Sequence, residues 1–447
     1  MGRTAALEAD VREVGRQIAA AMPSRARHPL RALDERAMQI TASDAELKAA
    51  LFRFVDVTPA CRSPEDLAFH LVGFLEELDR RPVPLEAAVR MAGSRPGRAA
   101  LGVAAARGVR HMAHRFIVGE TPEEAIPAFV RLWRDGVASS VDLLGEATVT
   151  RAEADRYARR CADALRALTE ASAAWPARPV LEGDARGLLP RANLSVKVSA
   201  LTPLMRAEAP HLGAEDAAGR LRPLLRQARD AGAHLHVDME SLDTLEATTE
   251  LVFALLGEEE FRTGPSAGVV LQAYLRESPT LAERILDWAA SSGRETPLTV
   301  RLVKGAYWDH EWTEARQKGW TPPVWEEKAE CDRTFEALTR RLLDARRHVR
   351  LAVASHNVRS VAHAVVSNRE AGGADADLEL QVLRGLGDEL QHGLASLGFR
   401  VRAYCPVGDL VAGMAYLVRR LLENTANDSF LSEQHSGADL EELLAAP

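Results

Sequence analysis

Leu298-Thr-Val-Arg-Leu-Val-Lys-Gly-Ala-Tyr-Trp-Asp309 opens as an apolar, β-branched run over Leu298–Val303. That is the pattern of a strand buried on both faces, as in a parallel sheet. Arg301 interrupts it, and a guanidinium inside a buried strand is costly unless partners surround it. Lys304 and Gly305 close the strand, and the aromatic pair Tyr307-Trp308 follows. A strand end with these residues offers charge, backbone N–H groups and a stacking surface at one place. Such a set suits an aromatic ligand that carries phosphate. The alternative is a core strand whose arginine is paired for structural reasons.

Seven further runs repeat this grammar: Ala138–Leu144, Leu194–Val198, Ala233–Val237, Ala267–Leu271, Val349–Ala354, Leu378–Leu383 and Phe399–Tyr404. Helical segments separate most of them, which predicts parallel strands joined by crossovers. Eight such units predict an α/β fold, a closed (βα)8 TIM-like barrel preceded by an α-helical arm domain. The last connection is short for a full unit. Polar residues stand at the run ends: Asp142 and Glu146, Lys197, Asp238 and Glu240, Gln272 and Tyr274, Arg301 and Lys304, His356 and Asn357, Arg384, and Tyr404. Barrels gather functional groups at the C-terminal strand ends, so these side chains are expected to converge on one mouth.

The flanks are helical. Residues 1–122 are expected to form the arm, with helices over Asp10–Met22, Glu46–Phe54 and Pro64–Leu78 and a loop over Ala92–Arg98. Ser63 precedes a proline at a first helical position, and Thr121 caps a helix that runs to Arg134. The basic patch Arg25, Arg27, His28 and Arg31 reads as a solvated loop. Residues 123–430 are expected to form the barrel, and 431–447 an acidic tail with a short capped helix from Ser436. The preceding helix, Asp409–Asn427, puts Tyr416, Arg419, Arg420 and Glu423 on one face. Two readings stand there. The arginines are solvated beside an i,i+4 glutamate, or they form bidentate hydrogen bonds to a small carboxylate.

Composition narrows the function. The 447 residues carry a formal net charge of -8, which argues against nucleic acid as a partner. Four cysteines (Cys61, Cys161, Cys331, Cys405) show no C-x-x-C pairing and no metal spacing, as free thiols in a reducing compartment do. The N-terminus lacks an apolar signal region, and Gly2 is followed by Ala6 where acylation needs Ser or Thr. No apolar run approaches the roughly 18 residues that span a bilayer. The expected location is the cytoplasm, extending at most to a peripheral contact at the inner face of a membrane.

Phosphate-loop and nucleophile-elbow motifs are missing. His234-Leu-His236-Val-Asp238 is similar to the H-x-H of metal-dependent barrel hydrolases, with His356 as a further ligand. Its place on the third strand and the cations around it count against a metal. A metal-dependent (βα)8 barrel hydrolase is nevertheless the alternative function. Lys197 keeps three readings: a Schiff-base lysine, a cation for a substrate carboxylate, or a partner of Asp142 or Glu146.

Several motifs together resemble the proline dehydrogenases, in particular the catalytic barrel of the proline utilisation A flavoenzymes. They are Ser140-Val-Asp-Leu-Leu-Gly-Glu-Ala147, Leu194-Ser-Val-Lys-Val-Ser-Ala-Leu201, His236-Val-Asp-Met-Glu240 and Val270-Leu-Gln-Ala-Tyr-Leu275. Arg301-Leu-Val-Lys-Gly-Ala-Tyr-Trp308, Ala354-Ser-His-Asn357, Tyr404-Cys-Pro-Val-Gly408 and Tyr416-Leu-Val-Arg-Arg-Leu-Leu-Glu-Asn424 complete the set. The resemblance implies FAD at the barrel mouth and oxidation of L-proline to Δ1-pyrroline-5-carboxylate, the first step of proline catabolism to glutamate. It implies hydride transfer to flavin N5 and electrons passed to a membrane quinone. It further implies that Lys197, Arg419 and Arg420 hold the proline carboxylate, while Leu383, Tyr404 and Tyr416 shape the pocket. Asp238 and Arg301 are then the catalytic pair, with Asp238 supporting Tyr404 and Arg301 beside the reactive flavin nitrogen. Met239, Gln272, Arg301, Val303, Lys304, Gly305, Trp308, Ser355, His356 and Glu423 match cofactor-holding positions. A pyrroline-5-carboxylate/glutamate-semialdehyde dehydrogenase, separate or fused, is the implied partner, although the chain ends before such a half. Its start is unlike a ribbon-helix-helix module, so no nucleic acid is expected. Arg384 stands where well-known members carry His.

Overall fold

The computed structural model describes residues 2–23, 44–145, 147–409, 413 and 439–447. Eight strands follow in order: β1 (Val137–Leu143), β2 (Asn193–Lys197), β3 (His234–Asp238), β4 (Ser266–Gln272), β5 (Leu298–Val303), β6 (Val349–Ala354), β7 (Glu379–Leu383) and β8 (Arg400–Val407). Each pairs in parallel with the next, and β8 closes on β1. All eight expected runs are strands, with ends displaced by at most one residue except in β8, which runs three residues past the expected Tyr404. The short last crossover is accommodated by a nine-residue helix, Asp388–Ser396.

Successive residues of a strand face opposite ways, and here the two faces differ in kind. In β8, Val401, Ala403 and Cys405 are buried beneath the helices, whereas Arg402 bonds to Glu379 of the neighbouring β7 and Tyr404 to Asp238 of β3 across the barrel. The interior is therefore a polar network in place of the usual aliphatic layers. At its N-terminal end a ribbon plugs the barrel: Asp184 accepts from Arg350 at 2.8 Å and Arg400 at 3.5 Å.

The N-terminal helices divide between two cores. Helix α1 (Gly2–Ala21) packs on the barrel helices Val358–Glu370 and Asp388–Ser396. Its Val11, Val14 and Ile18 share the barrel core, and Leu444 closes over Gly15. Among the described residues, α2 (Ala45–Val57), α3 (Pro64–Glu76), α4 (Val83–Met91) and α5 (Arg95–Phe116) build a separate core, around Leu47, Leu71, Leu75 and Leu101. This differs from the expected division, which gave α1 to the arm and Leu444 to a tail. An amphipathic pattern marks the apolar face of a helix but not the layer that it meets.

The loop expected over Ala92–Arg98 is mostly helix. Ser94 caps α5 by accepting from Gly97 N at 3.1 Å, with Pro96 in the first turn, so Gly and Pro serve a helix start here. Thr121 caps Pro122–Arg134 as expected. Glu146, the basic patch, Ser436 and the helix bearing Tyr416, Arg419, Arg420 and Glu423 lie outside the described residues.

Candidate active site

Arg301 is the hub of the mouth. It is 4% exposed. Its Nε donates to Gln381 Oε1 at 2.8 Å and its Nη1 to Asp238 Oδ1 at 2.6 Å. Nη2 donates to Ser195 Oγ at 3.1 Å and Ser140 Oγ at 3.4 Å. The guanidinium lies over the Tyr404 ring, 5.1 Å from its centre. Arg301 is thus structurally paired and at the mouth together, so the two sequence readings do not exclude each other.

Asp238 receives the Tyr404 hydroxyl at 2.6 Å on its other oxygen. Burial pushes the Asp238 carboxyl up, but Arg301 and Lys197 outweigh it and hold the pKa below the ordinary value. Lys197 donates to the fully buried Asp142 and lies 3.6 Å from Asp238. Burial opposes its charge, yet Asp142 and Asp238 outweigh it and raise the ammonium pKa. A lysine held protonated is a poor nucleophile, which removes the Schiff-base reading. Pairing with Asp142 is the arrangement observed.

A second layer braces the first. Gln381 donates to Glu379 Oε1 at 2.6 Å, and Glu379 takes a two-pronged bond from Arg402 at 2.9 and 3.0 Å. Burial opposes ionisation of Glu379, but Arg402 wins and drives its pKa far down. Sequence reasoning missed Ser140, Ser195, Glu379, Gln381 and Arg402 as site supports. Their signal was present as polar residues at alternate positions inside apolar runs, and it was absorbed into the strand assignment.

The histidine pair belongs to this bracing. His234 Nδ1 meets Ser266 Oγ at 2.9 Å and its Nε2 meets His236 Nδ1 at 3.1 Å. Both ring nitrogens of His234 are therefore occupied by protein. His356 Nε2 accepts from Leu383 N at 2.9 Å and faces the β7 backbone. Burial lowers the His234 pKa to about 3, with Arg402 adding to it. The unfolded imidazole titrates near about 6.5. Below that pH the unfolded chain takes up a proton that the folded chain refuses. Folding stability from this group is complete above about pH 6.5 and is lost as pH falls toward 3. The unfolding temperature, followed by circular dichroism, is expected to drop between pH 7 and pH 4, and less steeply in His234→Asn. Some slope remains, because His363 is also buried with its pKa lowered to about 3. An unchanged slope in the variant removes His234 from the acid sensitivity.

The Proline dehydrogenase family profile matches residues 125–433, and the Proline utilization A N-terminal domain profile matches residues 8–116. The chain belongs to the proline dehydrogenase family. The Bifunctional protein PutA of Salmonella typhimurium is 33% identical over 350 residues, covering 76% of this chain and 25% of that protein. The Proline dehydrogenase of Deinococcus radiodurans is 30% identical over 329 residues, covering 72% of this chain and 89% of that one. A crystal structure of proline utilization A from Bdellovibrio bacteriovorus, inactivated by N-propargylglycine, superposes with a TM-score of 0.89 at 33% identity. It covers 98% of this chain and 44% of that chain. The chain thus spans a quarter of the length of the bifunctional relative and under half of the solved one. Membership of the proline dehydrogenase family leaves the hydrolase alternative without support.

Further family positions among the described residues lie at or near the ends of the same strands. Leu383 ends β7 and pairs in register with Tyr404 of β8. Val303 ends β5, and Lys304 pairs with Asp332. Trp308 Nε1 donates to Trp325 O at 2.7 Å, and Ser355 Oγ accepts from Asn357 N at 3.1 Å. Met239 is buried beside Asp238.

Proposed function

We propose that this chain oxidises L-proline to Δ1-pyrroline-5-carboxylate with FAD bound across the barrel mouth. The observation that carries this reading is the Arg301–Asp238–Tyr404 and Lys197–Asp142 network at the C-terminal strand ends of a proline dehydrogenase barrel.

Two features fit a flavin. Gln272 Oε1 is buried and meets no donor among the described residues, while its Nε2 is held by Glu240 O at 3.0 Å. An acceptor kept in place without a donor suits a ring N–H. Gly305 has φ +136, and a Cβ there would lie 2.2 Å from the Tyr274 ring. Only glycine lets the backbone lie flat at this spot. Gln272, Val303, Lys304, Gly305 and Trp308 would line the cofactor from β4 and β5, with Met239, Ser355, His356 and Glu423 around them. FAD supplies the hydride acceptor, N5.

The protein supplies position and field. Formal charges on Arg301, Lys197, Asp238 and Asp142 cancel. A substrate carboxylate therefore needs further cations, and Arg419 and Arg420 are the pair that we assign. The ammonium of Lys197 has three donors, and Asp142 orients it, leaving others for the same carboxylate. Arg301 fixes Asp238, which fixes Tyr404 against the proline ring beside Leu383 and Tyr416. Holding the reacting carbon this way lowers the barrier by orientation.

In this reading, electrons pass to a quinone, reached through peripheral contact with a membrane. None of the helices of the described residues is long and apolar enough to cross one. Pyrroline-5-carboxylate passes to a glutamate-semialdehyde dehydrogenase, separate or fused. The test is colour. Purified protein is expected to be yellow and to bleach with L-proline under anaerobic conditions; a colourless protein, or colour untouched by proline, sinks the proposal. Arg420→Met is expected to raise KM for proline far more than it alters FAD content. A KM near wild type removes the clamp.

A further inference from the structure

A cavity of about 210 Å3 opens among the segments that follow β1, β2, β3 and β5. Ser199, Thr202, Glu240 and Thr244 supply polar atoms to its wall, and Met205 and Tyr307 supply apolar area. None of Lys197, Leu383 and Tyr404 lines it. It is smaller than the roughly 300–1,000 Å3 of a drug-sized site, so it admits a small ring system and excludes a dinucleotide.

Its acidic wall is built into the fold. Glu240 follows the end of β3, and its carboxyl accepts from Ser199 Oγ at 2.8 Å and Ser199 N at 3.3 Å. Burial pushes the Glu240 pKa up, so this group holds its proton to higher pH than an exposed glutamate does. The wall is also continuous with the residues assigned to the flavin. Met239 precedes Glu240, Gln272 holds the Glu240 carbonyl, and Tyr307 lies two residues beyond Gly305. With apolar area, hydroxyl groups and one carboxyl in its wall, the cavity matches a planar ring bearing carbonyl oxygens.

We infer that this cavity is the docking site for the head group of the oxidising substrate, a quinone, and that Glu240 donates a proton to it. The inference rests on the functional reading above. Reduction of a quinone to a quinol takes up two electrons and two protons. Two electrons and one proton derive from the hydride removed from proline. The second proton comes from the Glu240 carboxyl, breaking its O–H bond as the quinol O–H forms. Water then reprotonates the carboxylate.

The test uses Glu240→Gln, which removes the proton, and Thr244→Phe, which fills the cavity. Flavin reduced with dithionite is mixed with a water-soluble short-chain quinone, so the oxidising step is read without proline. Reoxidation is expected to slow tenfold or more in both variants, whereas reduction by proline and reoxidation by ferricenium stay at wild-type rates. Calorimetric titration of the oxidised, flavin-loaded protein with the same quinone is expected to show binding weakened tenfold or more in Thr244→Phe. Reoxidation and quinone affinity at wild-type values in Thr244→Phe overturn the site, and equal slowing with ferricenium and quinone overturns it as a general distortion. Normal quinone reoxidation in Glu240→Gln overturns the proton role. Failure of proline to bleach the wild-type flavin sinks the functional reading instead, while the dithionite arm still judges the quinone site.

Discussion

Arg301→Met is expected to fold less stably by about 3–5 kcal/mol and to reduce its flavin about 100-fold more slowly than wild type. The stability loss follows from what the side chain leaves behind. Asp238 is 7% exposed, and its Oδ1 is paired with Arg301 at 2.6 Å. Removing the guanidinium strands a buried carboxylate, and Gln381, Ser195 and Ser140 lose a donor too. The rate loss follows from a lost cation at the mouth. A fixed donor beside developing charge is worth about 3–4 kcal/mol, and Asp238 offsets part of this field, which places the effect at the lower end. Adding Asp238→Asn separates the two losses. The double variant is expected to recover part of its denaturant stability, since no charge is left unpaired, but not its reduction rate. Stopped-flow reduction of Arg301→Met at the wild-type rate would falsify the mechanistic assignment.

Lys197→Met is the second large effect. Its KM for proline is expected to rise roughly 10- to 150-fold, the equivalent of one charge-assisted hydrogen bond of about 1.5–3 kcal/mol. Thermal stability falls as well, because Asp142 is fully buried and Lys197 is its partner. Lys197→Met/Asp142→Leu is expected to regain stability, as replacing a buried pair by apolar groups often does, while KM stays high. A normal KM in the single variant leaves Lys197 as a structural cation and returns the carboxylate to Arg419 and Arg420 alone.

Much of the architecture could be read along the chain. The β-branched runs predicted all eight strands, since a strand buried on both faces has a local signature. Helix starts at Ser63 and Thr121 were equally local, set by a side-chain oxygen three residues from the N–H that it meets. The start at Ser94 was missed because Gly97 and Pro96 also fit a loop. The place of α1 was missed because its apolar stripe does not record which core it joins. The arginine pair of the final helix lies outside the described residues, so its role rests on sequence and on the charge balance of the mouth.

By itself the sequence determined the strand–helix alternation, the polar strand ends and the family motifs, all of which depend on neighbours a few residues apart. Only the tertiary structure decided who neutralises whom. Arg301 meets partners 63 to 161 residues away, and Lys197 meets Asp142 across 55. Barrel closure, with β8 beside β1 in a particular register, brings these strands to the same height. Pairing of buried charges depends on that register and on exclusion of water, and neither is written in any local stretch of the chain.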